Sequence, residues 1–155
     1  MKVDWSMDSD CAACHASEED SRQSENCLAS IHEKEGATCI ECHSDSESLA
    51  KAHDDVDTSS KMPTKLKRTA VSSESCLACH EQAELTEKTI DLSLLTDKEG
   101  TTVNPHALPQ TETHVDQVTC NSCHVMHSES DLEQNSIDTC IGCHHAEVYT
   151  CNTCH

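Results

Sequence analysis

Six times in 155 residues, two cysteines stand three positions apart with a histidine directly after the second. The copies are Cys11-Ala12-Ala13-Cys14-His15, Cys39-Ile40-Glu41-Cys42-His43, Cys76-Leu77-Ala78-Cys79-His80, Cys120-Asn121-Ser122-Cys123-His124, Cys140-Ile141-Gly142-Cys143-His144 and Cys151-Asn152-Thr153-Cys154-His155. They consume twelve of the thirteen cysteines and leave Cys27 over. So many thiols at one interval in a polar chain call for a disulfide framework, metal sites or covalently bound cofactors.

The unit itself chooses among these. Two thiols with two residues between them match the span of the two vinyl groups of one haem, to which they add as thioethers. The next residue then brings an imidazole nitrogen beneath the ring, to the iron. Zinc also uses Cys-x-x-Cys pairs and His, but it wants pairs of pairs at about 12–20 residues and imposes no His after the second Cys. All six copies carry that His, so the expected cofactor is haem c, six per chain.

Composition raises a problem that haem answers. The chain has no Phe, one Trp (Trp5), one Tyr (Tyr149) and a formal net charge of -19. A core normally draws on aromatic and branched side chains, and a chain this acidic and this poor in them reads as disordered. A porphyrin is a large flat apolar body that the polypeptide need only wrap. The expected fold is therefore mainly irregular with short α-helices and little β, a multihaem cytochrome c architecture in which the haems form the core.

Six of the twelve histidines belong to the motifs as proximal ligands: His15, His43, His80, His124, His144 and His155. The other six, His32, His53, His106, His114, His127 and His145, match the number of irons and are the candidate distal ligands of bis-histidine haems. His145 directly follows His144 and His127 lies three after His124, so neither readily reaches the far face of its own haem. Each is expected to serve a different haem. Met7, Met62 and Met126 compete as sixth ligands but are not needed once six His are counted.

The motif starts are 28, 37, 44, 20 and 11 residues apart, which crowds the last three haems. The chain is expected to form a single hexahaem domain, with lobes at 1–58 (two haems) and 76–155 (four haems) joined by a linker at 59–75. Short helices are expected at Ser46–His53 and Cys76–Lys88, and the prolines of Asn104-Pro105 and Leu108-Pro109 put His106 on a loop. Four of the ten basic residues, Lys61, Lys65, Lys67 and Arg68, fall in the linker; they read as a solvated segment rather than a docking spot. The acidic remainder disfavours nucleic acid and anionic membrane surfaces. The run from Cys27 to His32 resembles a degraded copy of the motif, but one thiol does not make a seventh site. No stretch is long and apolar enough to span a membrane. No leader is visible, with Asp4, Asp8 and Asp10 close behind Met1. Because haem is attached after export, the sequence reads as a mature or trimmed, extracytoplasmic chain.

The arrangement resembles the small multihaem cytochromes c, including the small tetrahaem cytochromes and the tetrahaem domains of flavocytochrome c fumarate reductases. The similar part is the second half: His106, then His114 ahead of Val118-Thr119-Cys120, then His127, then the motif at Cys140. In that family such spare histidines ligate neighbouring haems, which implies this role for His106, His114 and His127. The reading that follows is electron transfer between extracytoplasmic redox proteins, a carrier rather than an enzyme, since a reductase would need an open iron. Two alternatives stand beside it: a filament-forming cytochrome that polymerises with itself, and the electron-input subunit of a flavoprotein reductase.

Overall fold

The computed structural model describes residues 2–61, 69, 71–92, 96, 100–108 and 110–144. Their regular structure is short helices: α1 (Ala16–Gln23), α2 (Leu28–Lys34), α3 (Cys39–Cys42), α4 (Ser46–His53), α5 (Ser73–Leu77), α6 (Gln82–Lys88), α7 (Glu112–Gln117), α8 (Cys120–Cys123) and α9 (Leu132–Ile141). Single 3-10 turns occur at Cys11–Ala13 and Pro105–Ala107. Among the described residues β pairing is limited to two isolated bridges, Lys2 with Asp57 and Thr96 with Thr102. The short-helix, strand-poor fold expected from the sequence is what forms.

Local chemistry explains where the helices begin and end. Asp45 caps α4 by accepting from the Ser48 amide at 3.0 Å, and Asp131 caps α9 by accepting from the Gln134 amide at 3.1 Å. In α1, Glu18 and Glu19 lie in the first turn and Arg22 in the last, which suits the helix dipole. Gly36 stops α2: at φ 87° its amide reaches Glu33 O (2.9 Å) and the next amide, of Ala37, reaches His32 O (2.9 Å). Without a Cβ glycine takes that conformation at no cost, so the chain is free to start α3 at once.

The helix expected over Cys76–Lys88 is two helices. α5 ends at Leu77, the amides of Cys79 and His80 both turn back to Cys76 O (3.2 and 3.0 Å), and Glu81 is extended at ψ 122° before α6 begins. The motif takes its own tight turn, and a continuous helix cannot pass through it. Helix α4 runs over Ser46–His53 as expected, and His106 lies in the 3-10 turn of Pro105–Ala107.

The chain divides into two compact units. The first comprises Met1–Ser75 with Met126–Glu129, the second Cys76–Val125 with Ser130–His155. In the first, α1 packs on α2, and the inserted segment is stitched in by Ala29 N–H to Met126 O (3.0 Å) and Asn26 Nδ2 to Glu129 Oε1 (2.9 Å). In the second, α8 packs on α9, and α6 on the turn that carries His106.

Among the described residues neither unit has an ordinary core. Among the described residues the buried hydrophobic side chains are Cys27 and Ala29, and the buried polar ones are Ser21, Ser30 and Ser136. The serines satisfy themselves by bonding backward to Glu18 O (2.6 Å), Cys27 O (2.9 Å) and Leu132 O (2.8 Å). Meanwhile Ile31, Ile90 and Val115 are more than half exposed. So little side-chain burial does not offset the entropy of ordering the chain. Among the described residues, that leaves room for a large apolar group that is not an amino acid to serve as core.

Candidate functional site

Each of the five described motifs is one closed helical turn. The amide of the histidine donates to the carbonyl of the first cysteine in all of them: His15 to Cys11 (2.9 Å), His43 to Cys39 (2.9 Å), His80 to Cys76 (3.0 Å), His124 to Cys120 (3.0 Å) and His144 to Cys140 (2.8 Å). That bond puts both thiols on one turn, where residues three apart share a face. The sixth motif, with Cys151, Cys154 and His155, lies outside the described residues, as does His145.

The sequence carries a further signal at each motif. The residue before the first cysteine is always a cap former: Asp10, Thr38, Ser75, Thr119, Thr139 and Thr150. Thr38 and Thr119 are the N-caps of α3 and α8, each in a capping box, with Glu41 and Ser122 as the reciprocal partners. The Thr38 hydroxyl and amide both donate to Glu41, which holds that carboxyl below its usual range. Thr139 works differently. It lies inside α9, where its hydroxyl meets Asn135 O (2.8 Å) and Ser122 O (3.2 Å), tying the last turn of α9 to the motif in α8. A four-residue helix has no stability of its own, so these caps and ties set its geometry.

No disulfide joins any of the eleven described cysteines. Burial, then the neighbouring Cys39 thiol, pushes the Cys11 thiol up, and burial followed by Cys123 and Cys143 does the same to Cys140. Cys27 is buried as the N-cap of α2, with the Ser30 hydroxyl folded onto its carbonyl. That segment starts a helix and does not form a motif turn.

The histidines come together in pairs, each joining a motif histidine to a spare one. In the first unit His15 faces His53, with ring centres 6.1 Å apart and planes at 75°, and His43 faces His127 at 6.3 Å and 18°. In the second unit His124 faces His106 at 6.1 Å, and His144 faces His114 at 6.0 Å, both at 45°. Two imidazoles that bind one metal from opposite sides, each through a bond of about 2 Å, have ring centres about 6 Å apart. The donors fit an iron whose four equatorial positions are filled by a porphyrin. They do not fit structural zinc: among the described residues no three His, Cys, Asp or Glu side chains are grouped to hold a metal ion.

Four of the spare histidines are anchored through Nδ1. The Nδ1 atom of His53 lies 2.7 Å from Leu49 O and that of His32 lies 3.2 Å from Leu28 O, each one turn back in its own helix. His127 Nδ1 meets Ser21 Oγ at 2.7 Å, and since the Ser21 hydrogen goes to Glu18 O, the serine oxygen accepts from the ring. His106 Nδ1 meets Thr89 Oγ1 at 3.1 Å, whose own hydrogen goes to Leu85 O at 2.7 Å. With the proton thus placed on Nδ1, the lone pair of Nε2 is left for a metal. Burial holds His106, His43 and His127 below the usual histidine value. Nearby His127 and His15 add to the effect at His43, and Arg22 adds to it at His127 against an opposing pull from Glu18. The shift favours the neutral imidazole, the form that ligates.

The loop around His106 is fixed by α6, which the sequence did not announce. Thr86 Oγ1 donates to His106 O (2.9 Å), and Asn104 both donates to Thr86 O (3.2 Å) and accepts from the His106 amide (2.9 Å). On the motif side, His15 Nδ1 lies 3.7 Å from Glu18 Oε2, a buried carboxylate oxygen with no hydrogen-bond partner.

Comparison with known families matches residues 31–145 to the family described as cytochrome c3. That span takes in the four motifs from Cys39 to His144 whole. No match was found among curated proteins or among solved structures.

Proposed function

Since the chain belongs to the cytochrome c3 family, multihaem c-type cytochromes that carry electrons, we propose that it relays electrons outside the cytoplasm through six covalently bound haems, each iron held between two imidazoles. Bound haem c supplies reversible one-electron Fe(III)/Fe(II) exchange. Everything else is the work of side chains. The motif thiols (Cys11 with Cys14, Cys39 with Cys42, Cys76 with Cys79, Cys120 with Cys123, Cys140 with Cys143, Cys151 with Cys154) tether. The motif histidines ligate from the near side. His53, His127, His106 and His114 ligate from the far side, opposite His15, His43, His124 and His144. His32 and His145 bring the spare imidazoles to six.

The observation that carries this reading is the recurrence of one spacing, 6.0–6.3 Å, in four pairs that each combine a motif histidine with a spare one. With both axial positions assigned to His in these four pairs, the arrangement favours a carrier over a reductase, which needs an open iron. Thioether attachment after export, the strongly acidic composition and the lack, among the described residues, of any helix long and apolar enough to cross a membrane agree with an extracytoplasmic place. Partners are redox proteins, and a charge of -19 favours those with a basic docking face. The division into a two-haem lobe (1–58) and a four-haem lobe (76–155) remains part of this proposal.

A pyridine haemochrome assay combined with intact mass is expected to return six haems per chain. Four, the number of motifs inside the family match, would overturn the count. A second expectation concerns Glu18, whose buried oxygen lies beside His15. A carboxylate behind a ligating imidazole makes it more electron-donating and stabilises the ferric state. Glu18→Gln should raise one midpoint potential by on the order of 50 mV, read by spectropotentiometry. An unchanged set of potentials would remove Glu18 from the ligand's outer shell.

A further inference from the structure

Segment 2–5 is laid against the end of α4. Val3 N–H donates to Val56 O at 3.1 Å, Lys2 pairs with Asp57 through the backbone, and Lys2 Nζ donates to Asp54 O at 2.9 Å. These bonds deliver the chain's one tryptophan onto the ring of His53. The rings are parallel within 6°, with centres 5.2 Å apart, and both line a cavity of about 250 Å³ with Val3 and Ala50.

His53 is thereby constrained in two ways. The bond from Nδ1 to Leu49 O fixes one atom of the imidazole and its tautomer. It does not fix the plane, because the ring can still swing about the line from that anchor to the metal-binding nitrogen. A flat partner lying parallel to the ring stops the swing. His15, on the other side, is crossed at 75°, whereas His43 and His127 are within 18° of parallel. His15 has only a 3.7 Å contact to Glu18 at its Nδ1, so the held member of this pair is His53.

We propose that Trp5 is a positioning residue for the first iron: by stacking on His53 it keeps that ligand crosswise to His15 and closed on the metal. The proposal rests on His15 and His53 sharing one haem. The electronic consequence follows from ligand orientation. Crossed imidazoles donate into two different π-type iron orbitals and leave them nearly equal in energy, while parallel ones donate into the same orbital and split the pair. The haem held by His15 and His53 should therefore give a strongly anisotropic low-spin resonance, distinct from the rhombic signal of the His43–His127 centre. An aromatic contact of this kind changes an equilibrium by about two- to tenfold, here the equilibrium between bound and detached His53.

The test uses the fully loaded protein and three variants, Trp5→Ala, Trp5→Phe and His53→Ala. Low-temperature electron paramagnetic resonance of the oxidised form and carbon monoxide binding to the reduced form are recorded, with haem content measured alongside. In Trp5→Ala the strongly anisotropic signal should move to the rhombic class and carbon monoxide should bind about two- to tenfold faster at one site, at unchanged haem content. Trp5→Phe, which keeps a flat ring, should restore both. If Trp5→Ala matches the unaltered protein in both readouts while His53→Ala turns one haem high-spin, the positioning role is overturned and the ligand assignment survives. If His53→Ala leaves every haem low-spin, the ligand assignment beneath the proposal is overturned.

Discussion

Replacement of His127 by Ala should turn one low-spin haem high-spin and give the reduced protein one fast carbon monoxide site per chain, where the unaltered protein has none. His127 lies on Met126–Glu129, the segment that belongs to the first unit although the residues around it belong to the second. Its ring faces that of His43 at 6.3 Å, and its Nδ1 is anchored on Ser21. Loss of the imidazole should therefore open the iron of the Cys39 motif and not that of the Cys120 motif, which is only a few residues away in the chain. A companion variant grades the effect. Ser21→Ala keeps the ligand but removes its anchor, and outer partners of this kind are worth about 10–100-fold in metal affinity. It should give an intermediate carbon monoxide rate. If the high-spin haem of His127→Ala is traced to the Cys120 motif, for instance by its disappearance in a Cys120→Ala, Cys123→Ala background, the pairing with His43 is wrong.

The second large effect is on folding itself. Chain produced without haem attachment should show no cooperative thermal transition and little helix by circular dichroism. Ordering each residue costs about 1–2 kcal/mol, and helices below roughly 12 residues are marginal in water even with good sequences. The longest described helix here has 10 residues, and α3 and α8 have four. Two buried hydrophobic side chains, Cys27 and Ala29, among the described residues cannot counter that. Haem-free chain that melts cooperatively near the temperature of the loaded protein would show that the polypeptide holds itself together by means these residues do not reveal.

What could be read from residues alone was whatever is local. The motif fixes its own turn through a bond between residues four apart, and helix α4 is bounded by Asp45 and its C-terminal basic residues, so both were legible. Spacing also sets the expectation that His127 does not readily reach the far face of a haem held by His124. Which ring it faces was not legible. Its partner His43 lies 84 positions earlier, and nothing in either neighbourhood names the other. The same holds for His106, whose loop is set by Thr86 and Asn104, and for Trp5, whose place depends on backbone bonds to Val56 and Asp57. The break between α5 and α6 is hidden in the sequence because helical residue types surround a motif that turns regardless of them. The cap formers ahead of each Cys are a local signal of the same legible kind. The basic residues of the expected linker, apart from Lys61, and Met62 lie outside the described residues.

His124 and His127 are separated by two residues, which caps the distance between their backbones at about 11 Å even when the chain is pulled straight. If each grips its own iron, those two stations are on a covalent leash. Whatever the surrounding loops do, the backbones of these two ligands stay within the slack of three peptide units, as a coupling chain keeps two wagons within reach on uneven track.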